Sequence, residues 1–216
     1  MPSATNSAAT TVSFDRLPPI YLVRHGQTTW NREGRYQGQL NAPLTDQGME
    51  QARAVGRRLR HEMDTMAALQ FHCSPLGRCR DTMRLIIETA GWDDVPICYD
   101  DRLMEIGYGR WEGLTSSEIT AREPEAMAAR KNDAWNHSVP GGESYKDVQN
   151  RIANWLEQQS SAPSPLFVVS HGDAGSVLRG LYLGLTPEQT VALDSPQGSI
   201  IKLHDGSEHK LEGIPG

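Results

Sequence analysis

Two stretches of the chain end alike. "YLVRHG" (21–26) and "FVVSHG" (167–172) are each a short apolar run that stops at a histidine followed by a glycine. Runs of this kind, with no polar residue between the apolar ones, read as strands buried on both faces. Between them lie helical patterns. From Thr45, a plausible N-cap, the residues Met49, Ala52, Val55, Leu59 and Met63 recur at spacings of three and four, as one face of a helix does. Residues 69–73 read as a second strand, 77–90 as a helix with Gly91 as its C-cap, 95–99 as a strand, and 143–159 as a helix with Tyr145, Val148, Ile152, Trp155 and Leu156 on its apolar side. A strand at 166–169, a helix at 174–183 and a last strand at 200–203 follow. Such alternation predicts an α/β fold of three layers, α/β/α, in which a mostly parallel sheet is covered by helices on both faces.

Ligands of such sheets bind beyond the carboxyl ends of the strands. If the two His-Gly strands are neighbours, His25 and His171 meet at one sheet edge, and the third strand end, "FHCSPLGRCRDT", places Arg78 at the start of a helix. A helix start favours anions through its free N–H groups, and the guanidinium forks of Arg24 and Arg78 match phosphate oxygens. The glycines after the histidines would remove a side chain where a ligand approaches closely. The physical reading is a phosphate pocket in a chain whose formal net charge is -6. A lone histidine or arginine at any of these places would be ordinary structure; their shared location carries the inference. Two histidines could also hold a metal, but such a site would want carboxylates or thiols beside them, and two neighbouring arginines would repel the metal. Glu105, among Leu103, Ile106 and Tyr108, is either a surface charge or a carboxyl in a partly apolar wall able to donate a proton.

Acidic balance argues against a nucleic-acid or anionic-membrane partner, and no apolar run approaches the ~18 residues of a membrane span. Residues 1–18 are small and polar, without the basic start and apolar stretch of a secretory signal. They read as a disordered tail, and 19–216 as a single domain. Cys73, Cys79 and Cys98 form no disulfide or metal framework, which fits a cytoplasmic protein.

Taken together, these residues resemble the histidine phosphatase superfamily, also called phosphoglycerate mutase-like. The likeness runs through Arg24-His25-Gly26-Gln27-Thr28-Thr29-Trp30-Asn31, Tyr36-Gln37-Gly38, Pro43-Leu44-Thr45 with Gly48, Ser74-Pro75-Leu76 with Arg78 and Thr82, Leu103-Met104-Glu105 with Tyr108 and Gly109, Trp111-Glu112-Gly113, the stretch 140–144, and Ser170-His171-Gly172. The resemblance implies that His25 is the nucleophile that becomes phosphorylated. Arg24, Arg78 and His171 would surround the phosphoryl oxygens, and Asn31 would hold the phosphate or orient His25. Glu105 would protonate the leaving group, and Gln37, Gly38 and Tyr108 would line the substrate mouth. It implies no metal and no organic cofactor, a small phosphorylated metabolite as substrate, and leaves open a homodimer paired through a sheet edge. Mutases of this family carry a long basic insertion before the "GGES" helix. Here the corresponding cap is short, about 106–140, and holds Arg110, Arg122, Arg130 and Lys131 without an adjacent arginine pair. Gln27 replaces their usual glutamate, and Asp173 follows His171-Gly172 in place of their asparagine. These departures favour a phosphomonoester hydrolase, with phosphoglycerate mutase-type phosphoryl transfer as the alternative.

Overall fold

The computed structural model describes residues 17–62 and 69–216. Six strands form one sheet: β1 (Ile20–Arg24), β2 (Gln70–Cys73), β3 (Ile97–Tyr99), β4 (Leu166–Ser170), β5 (Ser199–His204) and β6 (Ser207–Glu212), in the order β3-β2-β4-β1-β5-β6. The pairs β1/β4, β2/β4 and β2/β3 are parallel; β5 and β6 are antiparallel additions at one edge. The helices are α1 (Thr29–Glu33), α2 (Asp46–Glu62), α3 (Gly77–Ala90), α4 (Ser116–Arg122), α5 (Pro124–Asn132), α6 (Tyr145–Gln159), α7 (Gly172–Leu183) and α8 (Pro187–Val191).

The apolar strands are buried on both faces because consecutive side chains point to opposite sides of the sheet. Ile20 and Leu22, with Leu166 and Val168, pack under α6 and α7 against Val148, Ile152, Trp155, Val177 and Leu178. Tyr21 and Val23, with Phe167 and Val169, pack under α2 and α3 against Val55, Leu59, Met83 and Ile86. This is the expected three-layer architecture. Thr45 caps α2, its hydroxyl accepting from the Gly48 N–H at 3.0 Å. Gly91 ends α3 in the left-handed conformation.

Residues 1–16 lie outside the described residues, as does Met63 of the expected helix face, but Leu17 is buried in the core beside α6 and belongs to the fold. The strand expected at 95–99 shortens to Ile97–Tyr99, and the helix expected from 174 starts at Gly172. β6 has no apolar signal because it is a half-exposed edge strand. The segment 106–140 holds α4 and α5 around a small core of Trp111, Ile119, Met127 and Val139, which Tyr36 and Tyr108 join to the main body. Among the described residues, no helix is long and apolar enough to cross a membrane.

Candidate active site

Strand register builds the site. β1 and β4 run parallel with Arg24 opposite Ser170, so the next residues, His25 and His171, leave the same edge of the sheet. The His25 N–H donates to the Ser170 carbonyl at 3.0 Å, and the two imidazoles meet edge-on with centroids 5.2 Å apart. On the other side of β4, β2 delivers Ser74, whose hydroxyl lies 2.7 Å from His171 Nε2, and α3 brings in Arg78. Arg24, His25, Asn31, Gln37, Gly38, Arg78, Glu105 and Tyr108 line one cleft of about 260 Å³. His171 stands behind it against the His25 ring.

His25 Nδ1 lies 2.8 Å from the Gly26 carbonyl. A carbonyl can only accept, so Nδ1 carries the proton and Nε2 the lone pair. Arg78 Nε donates to that Nε2 at 3.2 Å, while its Nη1 and Nη2 donate to the Leu40 and Gly38 carbonyls, each at 2.7 Å. Burial, then the charges of Arg78 and Arg24, hold the His25 imidazole well below the usual histidine range. Burial, Arg78 and His25 do the same to His171. Both rings are therefore neutral bases around pH 7. Arg24 donates from Nη1 to the Ser195 carbonyl at 2.7 Å, and its buried Nε–H has no acceptor among the described residues.

Glu105 follows a short turn at Asp101–Leu103 and is buried at the N-terminus of α7. Its Oε1 accepts from the N–H groups of Ile106 and Ala174, both at 3.0 Å; its Oε2 accepts from Gly172 at 2.9 Å and Asp173 at 3.3 Å. These donors favour the carboxylate. Burial and then the charge of Asp173 outweigh them, and the carboxyl is pushed up from the ordinary range. A carboxyl so placed can hold a proton and release it.

Asn31 lines the cleft while capping α1: its Oδ1 accepts from the Thr28 N–H at 3.1 Å and from Gln197 Nε2 at 3.2 Å. Gln197 also donates to the His25 carbonyl at 3.0 Å. Gln37 is buried and its Oε1 has no partner among the described residues. Gly38 is left-handed at φ 52°, and a Cβ there would strike the Glu112 carboxylate.

One expectation is corrected. Gly26 leaves room for α2, not for a ligand: a Cβ there would lie 2.2 Å from the Gly48 carbonyl oxygen. At Gly172 a Cβ would touch Arg24 and Glu105 at 3.5 Å, an ordinary contact.

Sequence reasoning gave no site role to Asp173, Tyr145, Arg35, Gln197 or Ser195. Asp173 lines the cleft, and its carboxylate accepts from the Tyr108 hydroxyl and, at 2.7 Å, from that of Tyr145. Its place in the first turn after the second histidine was the available signal. Gln197 and Ser195 come from the loop before β5, where no local pattern points to the site. The cap cations stay off the cleft. Arg110 pairs with Glu123, Arg130 lies over the Tyr108 and Tyr145 rings at 5.7 and 5.3 Å, and Arg122 and Lys131 are exposed.

Residues 20–211 match the profile of the "Histidine phosphatase superfamily (branch 1)". A Salmonella paratyphi C protein named "Probable phosphoglycerate mutase GpmB" is 37% identical over 171 residues, 77% of this chain and 75% of the relative. The alpha-ribazole phosphatase of Shigella flexneri has a similar structure, with TM-score 0.75 and 26% identity over 92% of this chain and 96% of that one. The mycobacterial glucosyl-3-phosphoglycerate phosphatase complexed with VO3 gives TM-score 0.72 and 30% identity over 89% and 96%. The profile spans most of the chain and the relative is more than one third identical: the chain belongs to the histidine phosphatase superfamily, as an enzyme of the phosphatase or mutase kind.

Proposed function

We propose that the protein is a phosphomonoesterase that works through a phosphohistidine on His25 and acts on a small phosphorylated metabolite. His25 Nε2 attacks phosphorus, the bond from phosphorus to the ester oxygen breaks, and the departing oxygen takes its proton from Glu105. Glu105, now a carboxylate, then accepts a proton from water as the water oxygen attacks phosphorus. The P–N bond breaks, and inorganic phosphate and neutral His25 are released. Arg24, Arg78 and His171 surround the phosphoryl oxygens, where charge gathers in the transition state. The unpaired Arg24 Nε–H suits one of those oxygens. Arg78 transfers its Nε–H from His25 to the phosphoryl group, freeing the nucleophilic lone pair. Asn31 and Gln197 fix the loop after His25, while Gln37, Gly38 and Tyr108 form the mouth. The permanent charges in this scheme come from arginine, and no metal or organic cofactor enters it.

The observation that favours hydrolysis over mutase chemistry is the position of the cap cations. A mutase must hold a substrate carboxylate and keep water from the phosphohistidine until the phosphate is returned. Arg110, Arg122, Arg130 and Lys131 all lie off the cleft. Arg35 lines it, but is already bound to Glu33 and Glu118 at 2.8 and 3.0 Å. The rim at Gly34 is exposed.

Two assays on one preparation test the reading: phosphate release from an aryl phosphate, and interconversion of phosphoglycerates primed with a bisphosphoglycerate. Steady phosphate release with negligible interconversion is expected. Fast interconversion with little phosphate release refutes it.

A further inference from the structure

Beside the phosphate cluster, the cleft is also lined by Arg35, Tyr36, Gln37, Tyr108 and Asp173. Two of these side chains are charged. Arg35 is matched, with Nε on Glu33, and Nη1 on Glu118 and the Gly113 carbonyl. Asp173 is not. Its two oxygens accept from the hydroxyls of Tyr108 and Tyr145, and among the described residues it joins no ion pair. Burial first, then the charge of Asp173, push both tyrosines above the usual phenol range, so they remain donors to a carboxylate. The nearby Arg130 is turned to the Tyr108 and Tyr145 rings and the carbonyls of His137 and Glu143.

Asp173 also adjoins the proposed proton donor, its N–H reaching Glu105 Oε2 at 3.3 Å. The group that protonates the ester oxygen stands beside the leaving alcohol. The charge of Asp173 acts on Glu105, and so is felt where that alcohol departs.

We infer that Asp173 is the specificity-determining residue of the leaving-group side, admitting phosphomonoesters whose alcohol is uncharged and hydroxyl-bearing and disfavouring those whose alcohol carries a carboxylate. The inference rests on the hydrolase reading for its catalytic form. A carboxylate has about four lone-pair sites. Two take the tyrosine hydroxyls, and the others can accept from a substrate hydroxyl. The unpartnered Gln37 Oε1 is a second acceptor in the same wall. A substrate carboxylate would instead be desolvated beside a like charge, and Arg35, the cation among these five residues, is already bound to Glu33 and Glu118. The edge-to-face pair Tyr36–Tyr108, with centroids 4.7 Å apart, offers an uncharged surface to the carbon skeleton.

Glycerol 3-phosphate and 3-phosphoglycerate share a three-carbon skeleton and differ in a hydroxymethyl group against a carboxylate. The wild type is expected to hydrolyse the first with kcat/KM at least about tenfold higher. Asp173→Asn keeps a side chain of the same shape between the tyrosines, and should shrink that ratio several-fold, chiefly through a lower KM for 3-phosphoglycerate. Calorimetric binding of both esters to His25→Ala reads the same preference without turnover. Equal wild-type kcat/KM for the two esters, or an unchanged ratio in a folded Asp173→Asn, overturns the inference. If that variant does not fold, the wild-type and His25→Ala ratios decide alone. If neither ester is hydrolysed yet His25→Ala prefers glycerol 3-phosphate, the hydrolase reading fails and the role of Asp173 stands.

Discussion

Gly26 and Gly172 follow the two site histidines and look equivalent in sequence, yet their surroundings predict opposite responses to Ala. At Gly26 the new Cβ would sit 2.2 Å from the Gly48 carbonyl oxygen, where about 3.4 Å is the inner limit of ordinary contact. The atom opposite is backbone at the start of α2, so no side chain can swing away. The chain after β1 and the start of α2 must part by about 1.2 Å, the difference between the two distances. Overpacking of this kind costs about 1–3 kcal/mol. In a chain of this size that lowers Tm by about 4–8 °C for a 2 kcal/mol loss. The displacement falls on the residue next to His25, and a misplacement of ~1 Å costs about 100-fold in rate. At Gly172 the Cβ meets Arg24 and Glu105 at 3.5 Å, and the N–H that donates to Glu105 is kept. Gly172→Ala should melt within about 2 °C of the wild type, with any loss confined to KM because the residue lines the cleft. Thermal denaturation and aryl phosphate kinetics on both variants check this. A Gly26→Ala protein with wild-type Tm and wild-type rate would refute the steric argument.

His25→Ala should abolish the acid-labile, base-stable phosphoenzyme formed with labelled substrate; label that persists moves the nucleophile elsewhere. Glu105→Gln should slow alkyl phosphates about 100-fold or more while sparing aryl phosphates, whose leaving groups need little protonation; equal losses on both remove Glu105 from the acid role. The lowered His25 keeps its nucleophile unprotonated below pH 6.5, and the raised Glu105 loses its proton as pH climbs through its folded value. Alkyl phosphate kcat/KM should therefore peak on the acid side of neutrality, with an alkaline fall absent in Glu105→Gln. Stability has its own dependence. His25 and His171 are depressed in the fold, so the unfolded chain binds more protons below about pH 6.5, and each histidine removes up to about 1.4 kcal/mol per pH unit there. Glu105, raised in the fold, acts in the opposite sense. Tm should fall from pH 7.5 to 5.5, and less steeply in His171→Gln; an identical slope in that variant contradicts the assignment.

Much of the architecture was legible because it is written in local patterns. The apolar strand runs, the Thr45 cap, the Gly91 stop and the three-and-four spacing of α2, α3 and α6 each depend on neighbours a few residues apart. The segments that escaped were short or polar: the edge strand β6, the five-residue α1 and α8, and the two cap helices, which bury few apolar residues of their own. Within the site, Arg24, His25 and His171 stand at or just beyond strand ends, where register dictates position, while the other expected residues reach the cleft from helices and loops further along the chain. Asp173, Gln197 and Ser195 do not carry that mark.

The sequence by itself therefore determined the layered α/β fold, the two His-Gly strand ends and the anion-seeking arginines near them, since periodicity and strand length settle which residues stand at a strand's carboxyl end; that β1 and β4 are neighbours, so that the two histidines meet, came from the tertiary structure. Only the tertiary structure decided what each group faces there. It turned Gly26 toward the backbone of α2, drew the cap arginines onto Glu123 and the tyrosine rings, matched Arg35 with two glutamates, and left the carboxylate of Asp173 without a cation beside Glu105. Contacts between residues far apart in the chain are set by how the layers close, and no local pattern encodes them.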